Sequence, residues 1–130
     1  MAVTHSTAAR NAATDAVTAL IGVSGSLVFR ISPSSVAAPG TAVATLPLSA
    51  AGFAASITGT ATANAINSDT NAAGNASPVA FATLQTSVGT VVIQCAVAAS
   101  GSDINMTNGL TVAAGDTVAC SSLTYTALSA

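Results

Sequence analysis

VAFATLQTSVGTVVIQCAV, residues 79–97, is the stretch whose reading decides the fold. Val79–Gln85 and Thr90–Val97 are both rich in β-branched and apolar residues. Thr86–Gly89 between them is short, polar and ends in glycine, so the segment reads as a β-hairpin. In the second arm Val91, Ile93, Cys95 and Val97 alternate toward one face, the period of a half-buried strand.

Working outward, Asn67–Pro78 (NSDTNAAGNASP) is a loop whose Asn, Asp, Ser and Gly supply turn hydrogen bonds. Thr60–Ile66 reads as a weak strand, and Ala50–Gly59 as a loop or bulge carrying Phe53 and Ile57. Thr41–Leu48 alternates, with Ala44, Leu46 and Leu48 on one face and Val43, Thr45 and Pro47 on the other. Pro47 marks a strand end or an edge strand. Ser32–Gly40 is a Pro/Ser loop with Val36 near its middle, and Ser26–Ile31 is a short strand. Downstream, Ala98–Gly109 reads as a polar loop, Leu110–Val112 as a short strand, Ala113–Asp116 as a tight turn and Thr117–Ala127 as the closing strand. About seven or eight short strands at this spacing predict a mainly β, jelly-roll-like β-sandwich. It would occupy residues 26–130, after an N-terminal helical arm over residues 1–25, as a single domain.

The arm contains the one helix the sequence predicts. Ser6 is a suitable N-cap. Ala9, Ala13, Val17, Leu20 and Ile21 recur at helical spacing over residues 6–21, and Gly22 and Gly25 end the run. Arg10 and Asp15 fall off this stripe, which is shallow enough to pack on the chain's own sheet or on a partner.

Charge is the outlying feature of the composition. Of 130 residues, two are basic (Arg10, Arg30) and four acidic (Asp15, Asp69, Asp103, Asp116), and charged residues make up 5% of the chain. An ordinary domain has about 25%. A free monomer normally carries dense mixed charge to stay dispersed. A subunit enclosed by neighbours has no such need, because Ala, Ser, Thr and Asn lie against another surface at little desolvation cost. The net charge of −2 argues against nucleic acid, which needs several cations on one face, and against a polybasic membrane site. Neither a signal peptide nor an apolar run of about 20 residues is expected, so a cytoplasmically made, non-secreted product fits best.

Catalytic chemistry finds little support. His5 is the single histidine and sits near the N-terminus; a triad would need it beside an Asp and an activated Ser, and Asp15 lies roughly two to three turns away along the predicted helix. Asn67–Asn71 superficially resembles the start of a calcium loop, but Ala72 and Pro78 stand where the glycine and the closing glutamate belong. An Asx-rich turn is the better reading. Cys95 and Cys120 sit in apolar alternation and read as small core hydrophobes that could pair if oxidised. No enzyme activity, cofactor or metal is expected.

The ordered series TAARNAATDAVTALIG, SGSLVFRI, GTAVATLPLS, TATANAINSDTNAAG, GTVVIQCAVAASGSDINM and LTVAAGDTVACSSLTYT spans nearly the whole chain. It resembles the capsid cement (decoration) proteins of tailed bacteriophages, including those of short-tailed Bordetella-type phages. Cys95 and Cys120 depart from that pattern. The resemblance implies a jelly-roll virion protein that binds the outside of the major capsid shell and cements neighbouring subunits. The partner would be the major capsid protein, with homo-oligomerisation, a dimer in preference. A tail or fibre component of the same virion is the alternative. Candidate contact residues are Arg10 and Arg30, able to fork onto acidic groups, with Val36 and Phe53 as apolar anchors on loops.

Overall fold

The computed structural model describes residues 3–128. It is mainly β, a sandwich with one N-terminal helix. The helix, α1 (Thr7–Ala19), is followed by β1 (Ser26–Ile31), β2 (Ala42–Pro47), β3 (Thr60–Thr62), β4 (Val79–Gln85), β5 (Val91–Ala98), β6 (Ile104–Asn105) and β7 (Thr124–Thr126). One layer is a five-stranded sheet in the order β2-β1-β4-β5-β6; β3 and β7 pair in the other. After β2 the chain leaves the sheet, builds part of the second layer, and returns on the far side of β1.

The expected β4–β5 hairpin is the centre of the sheet. Leu84 lies opposite Ile93 and Ala82 opposite Cys95, and on the other side Leu27 faces both Leu46 and Leu84. These residues share one face, which packs against Ile66, Ala72, Val112, Val118 and Leu123 of the second layer. The face is therefore lined by alternate residues of each strand, as a two-layer fold requires. Three bulges interrupt the simple alternation, one of them at Ala80, skipped in the β1–β4 pairing. Val43 is skipped in the β1–β2 pairing and Val92 in the β4–β5 pairing. The extra residue re-aims the chain locally, so Val43 is fully buried although its neighbours Thr45 and Pro47 on the expected face are exposed. Pro47 ends β2, which is an edge strand.

The second layer is less regular than the sequence suggests. The Thr60–Ile66 strand is confined to β3, with single bridges at Ala63 and Ile66. Leu110–Val112 forms no strand, although Leu110 O and Val112 O accept from Val79 N and Asn75 N. The closing strand shrinks from Thr117–Ala127 to β7, with one bridge between Val118 and Asp69. Conversely β6 lies inside the stretch read as a loop, and runs parallel to β5. In each case the extent of the strand is set by the segment that pairs with it, distant in the chain for β3, β7 and Leu110–Val112 and the end of β5 for β6, which local periodicity cannot report.

The helix is shorter than residues 6–21. Ser6 caps it, its Oγ accepting from Ala9 N at 3.1 Å. Leu20 is the C-cap and Gly22 turns the chain at φ +71°. Ile21, beyond the last turn, is buried in the core.

Candidate interaction surface

Thr14, in the middle of α1, is fully buried: its Oγ1 donates to Gly59 O at 2.6 Å and accepts from Ala127 N at 3.1 Å. One turn earlier, Asn11 Oδ1 accepts from Gly59 N at 2.7 Å. Asp15 Oδ1 accepts from Ser56 N at 2.9 Å, and Arg10 donates to Thr58 O at 3.3 Å. The helix thus docks through polar side chains on the turn between Ser56 and Thr60. The surface it turns outward carries Ala8, Ala12, Ala16 and Ala19, all exposed, and continues into Leu20 and Val23, 66% and 71% exposed. This reverses the usual helix, whose apolar stripe faces the core. Of the stripe read from the sequence, Ile21 is buried, Ala13 and Val17 are half-buried, and Ala9 and Leu20 face outward.

The inward turn of Arg10 and Asp15 is part of a wider pattern. Asp69 accepts from Thr45 N and Asn71 N, at 2.9 and 3.0 Å. Asp103 accepts from Ala96 N at 3.0 Å and Asp116 from Ala113 N at 2.9 Å. Arg30 donates to Gly40 O, Thr83 Oγ1 and Gln85 Oε1, at 2.7, 3.0 and 2.8 Å. All six formally charged side chains therefore bond the chain's own backbone. A charged hydrogen bond to a backbone group is stronger than a neutral one and needs little partner charge. The few charges act as clamps on the chain's own backbone and, apart from the exposed Asp103 and Asp116, leave the outer surface to Ala, Ser, Thr, Asn and Gly.

The four contact candidates fall in different places. Arg10 is held over Thr58, with its Nε buried and without a hydrogen-bond partner among the described residues. Arg30 lies over the sheet face opposite the core, above fully buried Thr83, and burial lowers its pKa from the ordinary arginine value. Val36 is exposed on the Ser32–Gly40 loop. Phe53 is half-buried against the core and bridges Ala63. It also lines a shallow groove with Ala19, Val23 and Ala51, beside the outer surface of α1. Phe53 and that surface are contiguous; the structure does not bring Val36 or Arg30 into the same patch.

The remaining candidates are structural. Asp69 folds an Asx turn through Asn71 N and clamps β2 through Thr45 N. Cys95 and Cys120 are free thiols. Burial, then the nearby Asp103 charge, pushes Cys95 up to about 11, only partly offset by its bond to Ala82 O. Burial also raises Cys120. Both are poor nucleophiles at neutral pH. Among the described residues no cluster of three or more His, Cys, Asp or Glu could hold a metal, and no helix is long and apolar enough to cross a membrane. No family model, no curated protein and no solved structure matches the chain.

Proposed function

We propose that the chain is a structural subunit of a virion shell, bound to the exterior of the major capsid protein and cementing adjacent subunits, itself as a homo-oligomer. The observation that carries this reading is the combination of charges spent on internal backbone bonds with an uncharged, small-residue helix surface turned to the outside. Such a surface is a poor one for a free monomer. It suits close approach to a neighbour, since nothing charged has to be desolvated. Apolar burial contributes roughly 25 cal/mol per Å². Even a small contact accumulates when it is repeated around a shell.

The test uses particles containing this protein. Densitometry of purified particles should show it in amounts comparable to the main shell protein; a tail or fibre component would be present in far fewer copies. Particles stripped of it should release their nucleic acid at lower temperature, and adding the protein back should restore resistance. Ala16→Asp, on the outer helix surface, should leave the isolated protein folded and abolish rebinding. Unchanged heat resistance without the protein would refute the cementing role.

A further inference from the structure

A cleft of about 500 Å³ opens between β6 and the segment leading into β7. Its size is that of a ligand cleft, and main-chain groups on two of its sides lack hydrogen bonds among the described residues. Met106 donates its N–H to Ala98 O, toward β5. Alternation along the strand then turns the N–H and C=O of Asn105 away from β5, on the cleft side. Across the cleft, among the described residues, the main chain of Ala119, Cys120 and Ser121 makes no hydrogen bond; Ser122 O accepts only the Cys120 thiol, at 3.2 Å. The opposite edge of the sheet is different. There Val43 O, Thr45 N and Pro47 O are all satisfied by residues 67–74. The fold seals one edge of its sheet and leaves the other facing a gap.

The floor of that gap is apolar, with Phe29, Met106, Val118 and Leu123 reaching it from the core. Its rim carries two carboxylates and no cation. Asp103 and Asp116 each commit Oδ2 to a backbone amide, which leaves the second oxygen without a partner among the described residues. Unpaired main chain on both walls recognises another extended backbone. An apolar floor takes alternate small side chains. The negative rim disfavours an acidic occupant and favours a basic one.

We infer that this cleft accepts an extended segment of another protein chain, laid beside β6 as an added strand, with small apolar side chains toward the floor and a basic residue at the rim. The inference needs only a second protein and does not depend on the shell reading.

The probe is an acetylated and amidated heptapeptide of alternating Val and Thr with a Lys at each end, titrated into the ¹⁵N-labelled full chain. Its Glu-ended twin and a version with a central proline serve as comparisons. The Lys peptide should shift the amides of Asn105 and Ala119–Ser122 and slow their exchange about tenfold. The Glu peptide should bind about tenfold more weakly, a difference of about 1.4 kcal/mol. The proline peptide should fail. Asp103→Asn with Asp116→Asn should abolish the Lys-over-Glu preference while retaining binding, a readout that misfolding would not reproduce. Thr107→Trp, at an exposed position lining the cleft, should block binding without lowering the melting temperature. The inference is overturned if millimolar Lys peptide leaves these amides unmoved, if both charged peptides bind alike to the native chain, or if the shifts fall elsewhere. It is equally overturned if these amides become protected with rising protein concentration alone, since the occupant would then be a second copy.

Discussion

Thr14→Val isolates the polar docking of the helix. Valine keeps the shape and the β-branch but replaces the hydroxyl that bonds both Gly59 O and Ala127 N. Gly59 is buried, so its carbonyl would be left without water or partner, a cost of about 1–3 kcal/mol. Ala127 is half-buried, so its N–H regains water in part, and losing that bond costs about 0.5–1 kcal/mol. The added methyl returns at most about 0.8 kcal/mol. The expected net loss is about 2 kcal/mol, or a fall in melting temperature of about 8 °C for a domain of this size. Urea unfolding followed by circular dichroism measures it, as a lower midpoint at unchanged slope. Thr14→Ser retains both hydrogen bonds and should lose less than half as much. A Val variant as stable as the native chain, or a Ser variant that is the worse of the two, would refute the claim that hydrogen bonds rather than apolar packing hold α1 in place.

Arg30→Met should destabilise by about 2–3 kcal/mol, because Gly40 O, Thr83 Oγ1 and Gln85 Oε1 lose a shared donor; Arg30's contribution, taken as the native-minus-variant difference, should change little between low and 1 M salt, as its acceptors are neutral. Gly74→Ala should cost on the order of 3 kcal/mol in thermal or urea unfolding: φ is +71° and a Cβ would lie 2.3 Å from Ala114 N. Gly101→Ala, also at positive φ but with nothing nearby, should cost less. The Cys95 thiol is raised in the folded chain from the ordinary 9.0 to about 11, so the folded state holds that proton more tightly. Its contribution is therefore complete below about pH 9 and lost as pH rises toward about 11; denaturation midpoints should fall over that window, and by less in Cys95→Ala.

The parts of the fold legible in the sequence are those made by neighbours in the chain. β1 and β4 span the expected residues, and β2 and β5 differ from them by one residue at each end. Their signal is a period of two beside a turn, and both are local. The bulges at Val43, Ala80 and Val92 were not legible, because an extra residue is defined by the partner strand. β6 was hidden in a polar loop for the same reason. The candidate surface was legible as a shortage of charge, but its organisation was not. Arg10 and Asp15 looked like the solvated side of α1, and they are its docking side. Nothing in the spacing of the helix announces that the turn at Ser56–Thr60, more than forty residues away, offers backbone groups for them to bond.

By itself the sequence determined the period of its strands, the N-cap of its helix and the near absence of ionic groups, since each follows from residue type and spacing. Only the tertiary structure decided which way the helix faces, where the six charges are spent and which sheet edge stays open. Those depend on which backbone groups remain unpaired once the layers meet, and that is a property of the assembled chain rather than of any stretch of it.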